Sequence, residues 1–163
     1  MALASAATAL VLGAGLLLAV PAVAGDEFAR GLSAYNAANY QGAFEAWYPL
    51  ADENEPKAQA ALAFLYLKGL GVRQDDVRAA DWYRRAAQLG RPEAQFFLGT
   101  LYYLGRGVPQ NDTLAHVWCE IALARGMPEG LNCRDAASAR MTAAEVRDAY
   151  RIAARWLERH PAR

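Results

Sequence analysis

Apolar residues in this chain recur three and four positions apart, in short bursts separated by breaks that contain glycine or proline. From about Val77 to Leu89, Ala79, Trp82 and Ala86 fall on one stripe at the i, i+3, i+7 spacing of an amphipathic helix. Gly90 then supplies a stop, because glycine enters the left-handed conformation of a helix C-terminus without a Cβ penalty. Pro92 opens the next helix at a position whose amide would have no intrahelical partner. That second helix carries Ala94, Leu98, Leu101, Tyr102 and Gly105 along one face, and the small Ala94 and Gly99 allow a neighbouring helix to approach closely.

The same text is written more than once. A shift of 36 residues superposes Ala43 on Ala79 and Ala115, and Pro56 on Pro92 and Pro128. Between the first two copies it also aligns Gln59 with Gln95, Leu62 with Leu98, Tyr66 with Tyr102, Gly69 with Gly105 and Gly71 with Gly107. Alanine-rich sequence aligns by accident, but paired Pro, Tyr and Gly at one fixed offset do not. A period of this length predicts stacked helical hairpins, at about 42–77, 78–113 and 114–139. The recurring loops "YLKGLGVRQDD" and "YYLGRGVPQND" then follow, since every unit must turn into the next through one geometry. Gly71 and Gly107 are expected at positive φ, Val72 and Val108 against the core, and Asp76 and Asp112 as caps of the following helices. A phosphate-binding loop is disfavoured, because both copies lack the third glycine of the dinucleotide fingerprint and follow helices.

The segment "WYRRAAQLGRPEAQFFLGTLYYLGRGVPQND", Trp82 to Asp112, resembles the Sel1-like repeat, a relative of the tetratricopeptide repeat. The preceding copy is looser, with Asn54 and Ala63 where glycine is usual, and the third begins "HVWCEIALARG" and decays after Gly126. The opening "FARGLSAYNAANYQGAFEAW" is similar to the half-repeat that starts such proteins, so the resemblance covers about Phe28 to Glu129. It implies an all-α, short right-handed α/α solenoid of about three 36-residue hairpins with an N-terminal half-repeat. The tail "MTAAEVRDAYRIAARWLERHP" reads as a capping helix over about 142–160. Thr142 and Glu145 have capping-box spacing, and Val146, Tyr150, Ala153 and Leu157 make its apolar face.

Residues 1–24 carry no charge and hold an apolar run, Ala9 to Val20, that stops at Pro21 before the small residues Ala22 and Ala24. This predicts a signal peptide cleaved after Ala24, leaving a single domain at 25–163 in the periplasm or outside the cell. No Lys or Arg precedes the run, so retention as an uncleaved anchor stays open. No later apolar run approaches membrane length. The 163 residues include 17 basic and 17 acidic side chains, a balance that removes the electrostatic argument for nucleic acid or an anionic membrane.

Cys119 and Cys133 lie seven residues before and five after the turn at Gly126 to Pro128, positions that antiparallel helices bring together. In an oxidising compartment this favours a disulfide that closes a loop of about 15 residues and contributes on the order of 3 kcal/mol. Two separately buried thiols, a metal site or a redox pair are the alternatives, although nothing resembles C-x-x-C.

No catalytic signature is present: there is no S-x-x-K, G-x-S-x-G or H-E-x-x-H. Of the two histidines, His160 lies in the tail and His116 on a helix flank with no companion ligand, so neither a cofactor nor a metal site is expected. The acidic Asp52, Glu53 and Glu55 read as a solvated helix end. Trp82 and Trp118 share one repeat position and Tyr66 and Tyr102 another, which is the behaviour of core residues. In related solenoids the first helix of each unit lines the concave surface. There Tyr48, Arg84 and Glu120 are equivalent, with Arg85 beside Arg84, and these four make the candidate groove.

The resemblance implies a non-catalytic adaptor that binds a peptide, a protein or a cell-envelope component in that groove. Two other readings compete. Certain cysteine-rich secreted Sel1-like proteins are associated with binding or slowly hydrolysing penicillin-type compounds, but they carry a cysteine pair in each repeat and this chain has one pair. A purely structural envelope protein would have no stable partner.

Overall fold

A computed structural model of the protein describes residues 24–161. The expected leader lies outside the described residues, apart from Ala24, which begins the first helix. Among the described residues there are eight helices and no strand: α1 (Ala24–Asn36), α2 (Tyr40–Asp52), α3 (Pro56–Lys68), α4 (Asp76–Gln88), α5 (Pro92–Leu104), α6 (Asp112–Ala124), α7 (Gly130–Ser138) and α8 (Ala143–Arg159). Each helix up to α7 packs on the next in chain order, and α8 lies against α6. This is the solenoid that the 36-residue period predicts, with α1 as the leading half-unit and α8 covering the far end.

Local chemistry sets the helix ends. Pro56 and Pro92 each stand in the first turn of their helix. Gly69 and Gly105 end α3 and α5 in the left-handed conformation, at φ 68° and 65°. The predicted caps are off by one residue. Asp75, not Asp76, accepts from the Arg78 amide, and Asn111, not Asp112, accepts from the Leu114 amide. The preceding residue wins because it has extended backbone, at φ −152° and −154°, whereas Asp76 and Asp112 are already inside the helix. Asp76 and Asp112 instead pair with Arg106 and Arg140.

The two loop glycines are required by sterics as well as by torsion. Gly71 and Gly107 have φ 66° and 69°, as expected. A Cβ on Gly71 would lie 2.7 Å from the Tyr40 carbonyl oxygen, and one on Gly107 would lie 2.8 Å from the Val77 amide nitrogen. Each loop thus presses its backbone on the start of the first helix of its own unit.

Burial follows a one-residue change from the predicted stripe. On α4 the buried residues are Ala79, Ala80, Tyr83, Ala86 and Ala87, while Trp82 and Trp118 are half-buried and pack on the edge of the core. Two aromatics stand side by side at 82 and 83, and the wider pair of stripes through Ala80 and Ala87 draws Tyr83 inward. A small residue on the preceding helix makes room for the side chain at this position. A Cβ on Gly31 would lie 2.7 Å from Trp47 Cε2, and one on Gly99 would meet Cys119. Val108 is buried and Val72 half-buried, close to expectation.

The core runs through the hairpins as overlapping clusters. Trp47, Leu50, Leu62 and Leu65 join α2 to α3, and Tyr66, Tyr83, Leu98 and Leu101 join α3 to α5. Val117 and Ile121 of α6 meet Ala149 and Ala153 of α8. The packed face of α8 is therefore Ala149, Ala153, Trp156 and Leu157, so the predicted Ala153 and Leu157 lie on it while Tyr150, 41 % exposed, stands at its margin. The Thr142–Glu145 capping box forms as its spacing predicts. Cys119 and Cys133 are disulfide-bonded, with Cα atoms 5.9 Å apart, and tie α6 to the shortened α7.

Candidate interaction face

The first helices α2, α4 and α6 present half-buried aromatics beside the core. On α2, Phe44 and Tyr48 are one turn apart with ring centroids 5.5 Å from each other. Tyr48 meets Trp82 of α4 edge to face at 6.3 Å, so the faces of the two helices are continuous. Arg85 lies over the Trp82 ring with its guanidinium carbon 4.6 Å from the centroid, an arrangement in which the cation is attracted by the ring quadrupole. Farther along, Trp118 of α6 packs on Trp156 of α8 at 5.8 Å, and Arg125 covers Trp156.

The four groove residues therefore divide. Tyr48 is 45 % exposed and, with the exposed Arg85, converges on Trp82. Arg84 is only partly open, since its guanidinium pairs with Asp81 one turn earlier on the same helix. Glu120 is engaged elsewhere: its carboxylate accepts from Arg134 Nη1 at 3.0 Å, tying α6 to α7, and both side chains are mostly covered. Equivalence with Tyr48 places Glu120 on the groove, but the partner that α7 brings is not written in the repeat.

Two residues that sequence reasoning passed over stand at the end of this face. Arg78 lies one turn before Trp82, and its Nη1 reaches the Tyr66 hydroxyl at 3.4 Å while its carbon sits 5.5 Å from the Tyr66 ring centre. Together with Arg73 it borders an open cleft of about 720 Å³, floored by Phe44, Tyr66 and Val72. The available signal was divergence between copies, since Pro109 and Leu114 occupy the equivalent positions one period later.

His116 is fully buried instead of lying on a flank. Its Nδ1 is 2.9 Å from the Ser138 hydroxyl, which itself donates to the Arg134 carbonyl, so Nδ1 carries the proton and donates. Its Nε2 has no partner among the described residues. The 36-residue offset would have revealed this, because His116 is equivalent to the buried Ala80. Among the described residues no group of three or more His, Cys, Asp or Glu side chains is placed to hold a metal. None of the described helices is long and apolar enough to cross a membrane.

Comparison with known proteins places this architecture. The Sel1 repeat matches residues 56–90 and 92–127. The chain superposes with a TM-score of 0.79 on c5321, a protective antigen present in uropathogenic Escherichia coli strains and displaying an SLR fold, at 28 % identity over 84 % of this chain and 30 % of that one. A Sel1 repeat protein from Oxalobacter formigenes is 31 % identical, with a TM-score of 0.63 over 69 % of this chain and 87 % of the other. The chain thus spans less than a third of the Escherichia coli antigen and most of the Oxalobacter protein. Sel1 solenoids are typically protein-interaction folds and generally non-catalytic. The disulfide hints at an oxidising compartment. With its hairpin period, loop glycines and stacking of units all in agreement, the chain belongs to the Sel1 repeat family.

Proposed function

We propose that this protein is an exported, non-catalytic interaction module that binds a peptide segment of a protein partner along the α2–α4 face. The observation that carries the reading is the convergence of Tyr48 and Arg85 on Trp82. It is a half-exposed aromatic row whose cation is already oriented, in a fold whose repeats hold their neighbours rigid. Aromatic and arginine side chains of this kind dominate binding energy at protein interfaces, because they bury large areas with few freely rotating bonds. Export is supported by the apolar, uncharged segment before Ala24 and by the disulfide, which a reducing cytosol would not maintain. Residues 1–24 act in this reading as a signal peptide, and the periplasm or exterior is the site of action.

The test is recovery of a crosslinked partner from the host's cell envelope, comparing the wild type with a Tyr48→Ala, Arg85→Glu variant. Arg84 is left intact because it is paired with Asp81. A specific partner lost in the variant supports the face, and recovery unchanged in the variant refutes it.

A further inference from the structure

The cleft bordered by Arg73 and Arg78 differs in kind from the rest of the face. Its floor is formed by half-buried Phe44, buried Tyr66 and half-buried Val72, with the polar Gln74 beside them, and its volume is about 720 Å³. Three ionisable side chains line it besides Tyr66: Arg73, Arg78 and Asp75. The single carboxylate is already engaged. Asp75 caps α4 by accepting from the Arg78 amide at 3.0 Å, and its other oxygen is 3.3 Å from Arg78 Nε. The guanidinium of Arg78 is held from two sides, by Asp75 at Nε and by Tyr66 at Nη1, which leaves Nη2 without a partner among the described residues. Arg73 likewise has no ion pair among the described residues and stands exposed. The cleft therefore has two guanidinium groups over an aromatic floor, one of them fixed in place before any ligand arrives.

Neither arginine is needed by the repeat. One period later Pro109 replaces Arg73, Leu114 replaces Arg78 and Ala80 replaces Phe44, whereas Tyr102 and Val108 keep the packing residues. Positions kept between copies serve the stack, and these three are specific to the junction of the first and second units.

The cleft is also continuous with the face proposed above. Phe44 packs on Tyr66 at 5.8 Å and on Tyr48 at 5.5 Å, and Tyr48 leads to Trp82. Arg78, Trp82 and Arg85 follow one another on α4 at i, i+4 and i+7. An extended peptide advances about 3.3 Å per residue, so side chains two apart lie roughly 6.6 Å from each other on one side. The Phe44 and Tyr48 ring centres, 5.5 Å apart, fall about 1 Å short of that spacing.

We infer that the Arg73–Arg78 cleft seats the carboxylate of an Asp or Glu side chain in an extended peptide, with an apolar side chain two residues away lying over Tyr48 and Trp82. This rests on the α2–α4 face being the binding face. The Arg73 guanidinium can take a planar carboxylate in a two-point fork, with Arg78 Nη2 as a further donor. The excess positive charge disfavours a lysine there, and an uncharged amide forgoes the charge-assisted bond. The partner is thereby an acidic, extended segment of another protein.

The full chain is titrated with short fluorescent peptides in a Gly/Ser background, blocked at both ends and containing Glu-Ser-Leu, Gln-Ser-Leu or Lys-Ser-Leu. A fourth peptide has the Gln sequence and a free C-terminal carboxylate. The Glu peptide is expected to bind about tenfold more tightly than the Gln peptide, the difference a charge-assisted hydrogen bond confers. Arg73→Gln and Arg78→Gln are each expected to erase that preference with thermal unfolding unchanged for Arg73→Gln, whose side chain has no ion-pair partner among the described residues. Equal binding of Glu and Gln peptides, a preference that survives Arg73→Gln, tighter binding of the free-carboxylate peptide, or no binding of any peptide each overturns the proposal. The two readings fail separately. A partner lost from the Tyr48→Ala, Arg85→Glu variant but indifferent to Arg73→Gln removes the carboxylate seat and keeps the face. An Arg73-dependent Glu preference alongside unchanged partner recovery keeps the seat and removes the face.

Discussion

The guanidinium of Arg106 lies across the Asp76 carboxylate through two N–H···O bonds, Nε to Oδ2 at 3.0 Å and Nη2 to Oδ1 at 2.8 Å. Arg106 belongs to the loop that leaves α5, and Asp76 begins α4, so the bond closes the hairpin at its open end. Gly107 follows immediately with its backbone against Asp76 and Val77. The loop is thus fixed by contact and by charge at once. Gly107→Ala is expected to cost about 2–4 kcal/mol, because it adds a left-handed alanine and a collision with backbone that cannot yield. Gly126→Ala is the control: φ is 86° there but nothing lies within 4 Å of the added methyl, so about 1 kcal/mol is expected. Chemical denaturation of both variants decides it, and equal losses would show that close approach is unimportant.

The Arg106 hydrogen bonds also hold the Asp76 carboxyl below its ordinary 3.8. A depressed folded value means stability that is complete above pH 3.8 and is lost as the pH falls through the lower folded value. Both side chains are partly solvated, so Arg106→Ala should cost only about 0.5–1 kcal/mol at neutral pH. The acid-side loss attributable to Asp76 should shrink in the same variant when unfolding is followed from pH 5 to pH 2.

Gln95 is completely buried and its Nε2 donates to the Ala87 carbonyl at 3.0 Å, as Gln59 does to Ala51 at 3.1 Å. Each amide joins the second helix of a hairpin to the last turn of the first, where helical carbonyls have spare acceptor capacity. Gln95→Ala is expected to cost about 2–3 kcal/mol through the lost bond and the cavity together. Gln95→Leu should cost less, since it keeps the volume and removes a buried Oε1 that has no partner. Thermal unfolding of the two variants gives the comparison.

Reduction of Cys119–Cys133, or its replacement by serines, is expected to lower stability by about 3 kcal/mol by releasing the loop in the unfolded chain. The loss should localise to the last unit, because α7 is the shortest of the described helices and buries only Gly130 and Ala137. Hydrogen exchange in α7 and α8 should accelerate while α2 to α4 stay protected. Uniform acceleration would contradict a stack stabilised by nearest neighbours.

How far these features could be read in advance depended on whether a repeat recorded them. The hairpin length, the positive φ at Gly71 and Gly107 and the helix bounds near residues 76 and 88 were legible, because the same constraint is written in two copies at one offset. Even Asn54 fits, standing at φ 65° where Gly90 and Gly126 take positive φ in later units. Two failures came where an element of different length intervened. Glu120 pairs with Arg134, which α7 brings, and Tyr150 lies at the margin because α8 packs through Ala149 and Ala153. Trp82 against Tyr83 was ambiguous for another reason: both are aromatic, and periodicity alone does not choose between adjacent stripes.

His116 makes the end of the solenoid sensitive to pH. Burial holds it below its ordinary 6.5; the Glu120 and Asp135 carboxylates pull it up and the Arg134 guanidinium pushes it down. Ser138 of α7 and the Tyr150 ring of α8, 4.6 Å away, complete its surroundings. The folded state favours the neutral ring, so stability is complete above 6.5 and falls as the pH drops below it. The chain should therefore unfold at a lower denaturant concentration near pH 5 than near pH 7. His116→Leu, which cannot titrate, should flatten that dependence. A slope unchanged in the variant would assign it to other groups.

The central claim is that a partner is bound on the α2–α4 face, and a photoreactive phenylalanine analogue tests it most directly when placed at Tyr48 and, separately, at Leu104, which is exposed at the end of α5. In the intact host cell envelope, illumination should give a discrete adduct from position 48 and none from position 104. Adducts of equal yield at both positions, or from position 104 alone, would contradict the account.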